Sequence, residues 1–281
     1  MYIFYQRKHR AGFKVFPEDE TELAGHRFKV GDVVKIKSRD MEEYYSQAYM
    51  EYWKKETWTK LKIGQILLDE AVTMEEELYL HKSSLNVIAS RPNLGKTTLL
   101  LNIATNAIFQ NKSVVIFSLE MSRDYIINRF NFLLNEQVYI DDTPAVTVEA
   151  IREKCIKLKK EQNLDLILID YFQLITTEKR LKDKEHEISY ISSKLKKLAQ
   201  ELDISIIVTT QLSKDLELRE DKRPTLSDLK GTFIQDADVI MFLYRDDYYN
   251  KNTDNKGVTE VIIVKNKYGN CDTIKLKEVQ L

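Results

Sequence analysis

Residues 89–98, "ASRPNLGKTT", decide how the rest of the chain is read. They follow a short apolar run, "LNVIA" (85–89). They lead into a segment where Leu100, Ile103, Ala104, Ala107 and Ile108 recur at helical spacing. A strand, a loop and then a helix opening on Gly95-Lys96-Thr97 is the layout of a phosphate-binding loop. Its backbone, from Ser90 through Arg91, Pro92, Asn93, Leu94 and Gly95 to Thr98, wraps the phosphates, and the helix N-terminus adds positive potential. In that layout Lys96 reaches the terminal phosphate oxygens and Thr97 offers its hydroxyl to Mg²⁺. The competing reading is a chance Gly-Lys-Thr at an ordinary helix start. The pattern asks for a first glycine where this chain has Ser90, which is tolerable if the backbone there is not left-handed.

The same texture repeats along the chain. "SVVIFS" (113–118), "LILID" (166–170), "ISIIVTT" (204–210), "DVIMFLY" (238–244) and "TEVIIVK" (259–265) are near-continuous apolar runs, as expected of parallel strands covered on both faces. Helical spacing recurs at Ile188, Ile191, Leu195, Leu198 and Leu202. Strands alternating with such helices predict an α/β fold with a mostly parallel sheet flanked by helices.

Ligands in such sheets sit beyond the carboxyl ends of the strands. Glu120 follows the second run, Asp170 closes "LILID" and Gln211 follows "ISIIVTT". An aspartate ending a strand is commonly no more than a turn or cap residue. Together at one edge with Lys96, the three describe a nucleoside triphosphatase. Asp170 is the metal-side carboxylate, Glu120 polarises the attacking water and Gln211 senses the γ-phosphate. ATP with Mg²⁺ is the expected cofactor pair.

Composition sets the bounds. The 281 residues, 43% hydrophobic, are enough for a full core, and 43 basic against 44 acidic residues advertise no global nucleic-acid surface. Cys155 and Cys271 lack CxxC spacing, and His9, His26, His81 and His186 lack ligand company, so neither a zinc site nor a disulfide scaffold is expected. No apolar run is long enough to span a membrane, and the N-terminus does not read as a secretory signal. The expected location is the cytoplasm. Residues 1–61 form a separate segment: both tryptophans lie there, "HRFKVGDVVKIKSR" suggests a β-hairpin or edge strands around Gly31-Asp32, and "DMEEYYSQAYMEYWKKETW" reads as an aromatic-rich helix. This small β/α segment is either a docking module or a clamp. Residues 62–281 form the catalytic domain.

In order and spacing, "ASRPNLGKTT", "VVIFSLEMS", "LILIDYFQLI", "EISYISSKLKKLAQEL", "TTQL" and "DKRPTLSDLKGTFIQDADVIMFLYRDD" resemble the C-terminal ATPase domain of DnaB-type replicative helicases. The likeness covers roughly residues 85–277, and a small non-glycine residue at the position of Ser90 is usual in that family. It implies a RecA-like P-loop ATPase fold, with Glu120 as catalytic base, Asp170 as the second-motif carboxylate and Gln211 as the residue coupling γ-phosphate to DNA-facing loops. It further implies a ring of six, with ATP between subunits and single-stranded DNA through the centre. Arg219, Lys222, Arg223 and Lys230 then become candidates for DNA-phosphate contacts, against the alternative of a solvated loop surface. The chain departs from the family in four ways. Residues 1–61 do not resemble the family's helical N-terminal domain, although they remain a candidate surface for a replication partner. Residues 62–84 match the family's linker only loosely. "DLKGTF" is short and carries lysine at 230. The family's trans-acting Lys-x-Arg pair is Lys265-Asn266-Lys267 here. Lysine keeps the charge but loses the planar fork. An ATP-driven helicase or translocase is therefore expected. An ATP-binding adaptor or helicase regulator is the alternative, and a filament-forming recombinase-like ATPase is a further one.

Overall fold

The computed structural model describes residues 81–129, 138–229 and 233–277, together with short strands between residues 13 and 80. Backbone contacts divide the chain into two units, with the break between Thr57 and Trp58.

In the first unit, Thr21–Leu23 pairs antiparallel with His26–Phe28, and Phe13–Lys14 pairs with Val33–Val34. Strands thus form on both sides of Gly31-Asp32, but each pairs with an upstream segment rather than across that turn, which corrects the hairpin reading. The expected aromatic-rich helix lies outside the described residues.

The second unit is built on an eight-stranded sheet. In chain order its strands are β1 (Leu85–Ser90), β2 (Val114–Ser118), β3 (Val138–Asp141), β4 (Leu166–Asp170), β5 (Ser205–Gln211), β6 (Val239–Tyr244), β7 (Val258–Asn266) and β8 (Thr273–Lys277). The spatial order is β3-β2-β4-β5-β1-β6-β7-β8. Neighbours from β3 to β6 run parallel, whereas β7 and β8 are added antiparallel. The main helices are α1 (Lys96–Phe109), α2 (Arg123–Arg129), α3 (Val148–Gln162) and α4 (Lys184–Leu202).

The continuous apolar runs exist because alternate residues serve opposite faces. Leu166 and Leu168 pack with Leu100, Ile103 and Ala104 of α1 on one face. Ile167 and Ile169 pack with Ile151 of α3 and with Ile191, Leu195 and Leu198 of α4 on the other. Every residue of β1, β2, β4 and β6 is buried. The run "TEVIIVK" departs from the expectation. It belongs to the antiparallel β7, buried at only some positions, and its parallel-like composition reflects its place beside β6. β3 and β8 carry too few consecutive apolar residues, "VYID" and "TIKLK", to stand out in the sequence.

Helix α4 begins where Asp183 caps it, accepting from the His186 backbone N–H at 3.0 Å. It ends at Asp203 in a left-handed conformation. This fixes the helix that covers β4 and β5, the strands that deliver Asp170 and Gln211. Among the described residues, no helix is long and apolar enough to cross a membrane.

Candidate functional site

The loop after β1 explains its own sequence. Gly95 caps α1 with φ of 91°, a left-handed conformation that favours glycine, and Asn93 takes φ of 62°, which asparagine tolerates. Ser90 is instead the last residue of β1, fully buried, and is not left-handed. A side chain is therefore allowed there. It is put to use: its Oγ donates to the Arg91 carbonyl at 2.7 Å and accepts from Lys96 Nζ at 3.1 Å. Lys96 also donates to the Arg91 carbonyl at 3.1 Å.

Strand register brings the other predicted residues to this rim. Gln211, at the end of β5, lies beside Ser90 at the end of β1, and Asp170, at the end of β4, lies beside Ser118 at the end of β2. The Asp170 carboxylate is buried and accepts from the Thr97 hydroxyl at 2.5 Å, while its second oxygen accepts from the Thr209 hydroxyl. Glu120 sits two residues beyond β2, exposed, on a turn held by Ser118 Oγ donating to the Met121 carbonyl at 2.6 Å. Burial lowers the Lys96 ammonium to about 8, and the negative charges of Asp170 and Glu120 work against that drop. Lys96, Thr97, Glu120 and Asp170 are thus within electrostatic reach of one another, as expected for a triphosphate site.

The remaining predicted residues divide. Lys265 donates to the carbonyls of Ile234 and Ala237 at 2.7 and 2.6 Å, so its ammonium is engaged within its own chain. Lys267 is 63% exposed, contacts Asp238 loosely at 3.4 Å and has its ammonium 6.0 Å from the Tyr268 ring centre. Both lie near the start of β6, since Val239 pairs with Asn266, and β6 runs parallel to β1. They are therefore on the sheet edge opposite the phosphate loop, several residues away at about 3.3 Å per residue. Arg219 donates to the Arg223 carbonyl and the Asp228 carboxylate at 2.9 Å each. Lys222 donates to the Glu217 carbonyl at 2.7 Å, and Arg223 is paired with Glu260 and lies 5.1 Å from the Tyr244 ring centre. These three cations have partners inside their own subunit. Lys230 lies outside the described residues.

Two residues at the rim were not singled out from the sequence. Thr209 is the second hydroxyl on Asp170. Gln173 donates from its amide to Thr210 Oγ1 at 2.8 Å and, marginally, to the Gln211 carbonyl at 3.5 Å. Period-two alternation in "IVTTQ" could have pointed to Thr209, because it places positions 209 and 211 on the same face of β5. Nothing local marks Gln173.

The donor set fits Mg²⁺ with a triphosphate. Among the described residues there is no cluster of three or more His, Cys, Asp and Glu side chains that could hold a metal by themselves. A hydroxyl and a carboxylate beside a phosphate loop supply the hard oxygen ligands that Mg²⁺ shares with substrate phosphates.

Comparison with known proteins identifies the family. The family model described as "DnaB-like helicase C terminal domain" matches residues 73–136 and 127–280. The chain is 42% identical over 228 residues to the replicative DNA helicase DnaB of Geobacillus stearothermophilus, covering 69% of this chain and 50% of that protein. It is 41% identical over 232 residues to the replicative DNA helicase DnaC of Bacillus subtilis, covering 71% of this chain and 51% of that one. It thus spans about half the length of these relatives. Among solved structures, one described as an ATPase domain superposes with a TM-score of 0.68 at 29% identity, over 85% of this chain and 95% of that one. A DnaB-like replicative helicase studied with primase gives 0.69 at 29% identity, over 85% of this chain and 64% of that one.

Proposed function

The chain belongs to the DnaB-like helicase C-terminal domain family, and on that premise we propose that it is an ATP-dependent DNA helicase or translocase, working as a ring of six on single-stranded DNA. The observation that carries this reading is the Thr97–Asp170–Thr209 contact beneath the Gly95–Lys96 turn. It joins the phosphate loop, the second-motif strand and the sensor strand.

Each residue then has a task. The backbone from Ser90 to Thr98 and the Lys96 ammonium hold the β- and γ-phosphates of ATP. Thr97 and Asp170 would hold Mg²⁺, which would supply charge neutralisation at the phosphates. Glu120 orients the attacking water and draws its proton, and Gln211, beside Ser90, reports the γ-phosphate to the loop that follows it. Lys265 and Lys267, on the far edge of the sheet, serve a neighbouring subunit rather than their own. With Lys265 held by two carbonyls, Lys267 is the freer candidate. ATP therefore lies at subunit boundaries. Arg219, Lys222 and Arg223 shape the loop presented to DNA, and Lys230 follows them in the chain. Residues 1–61 are the proposed surface for a replication partner, and the cytoplasm is the proposed location.

An ATP-binding adaptor or helicase regulator is the second reading, favoured by lysine rather than arginine at position 267. Steady-state ATP hydrolysis with and without an oligo-dT strand separates the two. The motor reading expects stimulation by the strand and loss of hydrolysis in Lys96→Ala. Hydrolysis that ignores the strand would favour the adaptor.

A further inference from the structure

The side chain of Arg91 is placed unexpectedly for a residue of a phosphate loop. Its Nε donates to the Glu217 carboxylate at 2.9 Å and its Nη1 to the Leu212 carbonyl at 3.0 Å. Both partners belong to the segment after β5. The Arg91 side chain is only 13% exposed, so the pair is partly shielded from solvent. A third bond joins the same two segments, from the Leu212 backbone N–H to the Ser90 carbonyl at 3.1 Å. The Arg91 carbonyl meanwhile accepts from Lys96 Nζ. One residue therefore touches the phosphate-binding lysine with its backbone and the post-β5 segment with its guanidinium.

That segment is cross-linked by its own hydrogen bonds. Its ends are tied by the Ser213 N–H donating to the Asp228 carbonyl at 2.9 Å. Inside the loop, the Asp228 carboxylate accepts from the Thr225 N–H at 2.8 Å and from Arg219 Nη2 at 2.9 Å. Lys222 Nζ returns to the Glu217 carbonyl at 2.7 Å. Lys222 Nζ also donates to the Arg219 carbonyl, so an unbroken run of bonds joins Glu217 through Lys222 and Arg219 to Asp228.

We propose that Arg91 is a positioning residue whose ion pair with Glu217 couples the phosphate loop to the 213–228 loop, so that bound nucleotide and a single strand of DNA strengthen each other's binding. This rests on the motor reading above and adds a link separate from Gln211. Arginine suits the task because its fork holds a carboxylate and a carbonyl at once, fixing the geometry of the contact as well as its charge. Linkage requires the effect to be reciprocal, so either ligand can be titrated.

The test uses the full chain and a fluorescent, non-hydrolysable ATP analogue with Mg²⁺, titrated with and without saturating oligo-dT. The wild type is expected to bind the analogue about fivefold or more tightly when the strand is present. Glu217→Gln, which keeps shape and removes charge, is expected to bind the analogue alone within about twofold of wild type while its gain from DNA falls below about twofold. Arg91→Lys keeps the charge without the fork and provides a second reading of the same ratio should the first variant melt early; its gain is also expected to fall below about twofold. A variant that retains the full gain overturns the coupling and leaves the motor reading standing. A wild type whose analogue binding ignores DNA overturns the motor reading and the coupling with it.

Discussion

Replacing Asp170 with asparagine separates the charge of this carboxylate from its place in the packing. The side chain is 3% exposed and accepts from two hydroxyls, those of Thr97 and Thr209. Asparagine has the same shape: its oxygen can accept from one hydroxyl, and its amide can donate to the other once that hydroxyl rotates. Two charge-assisted bonds become two neutral ones, while the cost of burying a charge disappears. The net loss of stability is about 1–2 kcal/mol, a fall of a few degrees in Tm. The functional loss is larger. Removing a partner that orients a metal ligand, as Asp170 orients the Thr97 hydroxyl, typically costs about 10–100-fold in metal affinity or activity. Asp170 also opposes the fall of the Lys96 ammonium, so its loss pushes that ammonium further down. In Asp170→Asn the Mg²⁺ concentration giving half-maximal ATP hydrolysis should therefore rise about 10–100-fold while the thermal melt moves little. A Mg²⁺ dependence matching wild type would show that Asp170 is a packing residue and would refute the assignment.

Lys267→Arg should raise the maximal rate of hydrolysis if this position acts across a subunit boundary, since an arginine finger contributes about 10³–10⁵ in such enzymes; an unchanged rate counts against that role. Nucleotide affinity should depend on pH through Lys96, lowered by burial to about 8 in the free protein. Phosphates beside it raise it again, so the complex holds the proton more tightly. Affinity is then full below about pH 8 and falls by up to about tenfold per pH unit above it. Dissociation constants measured from pH 7 to 10 test this, and a flat profile would contradict it. Among the thiols, Cys271 is exposed, whereas Cys155 is buried and pushed well above the usual cysteine range. A colorimetric thiol reagent should therefore titrate one group at once and the second only in denaturant.

Much of this was legible in the amino-acid order because it depends on neighbours along the chain. Two-sided burial produces unbroken apolar runs, so "LILID" could be read as a strand ending at Asp170. A helix start demands a particular conformation at Gly95, so the phosphate loop could be read as well. Parallel pairing then requires the carboxyl ends of those strands to share a rim, and Glu120, Asp170 and Gln211 are found there. β3 and β8 escaped notice because an outer strand needs few apolar residues, and β7 was misread because apolar content does not reveal strand direction.

The order of residues is enough to set the sheet's main strands, the phosphate loop and the rim on which the chemistry gathers. Which polar groups meet depends on the folded arrangement. Arg91 and Glu217 lie 126 positions apart, and Thr209 reaches Asp170 across 39. Nothing in the order of residues distinguished Lys265, turned onto two carbonyls, from Lys267, mostly in solvent. Apolar burial follows a period that any strand or helix must display, so it is written locally. A hydrogen bond between distant side chains has no period, and its partner is known only once the backbone has brought the two ends together.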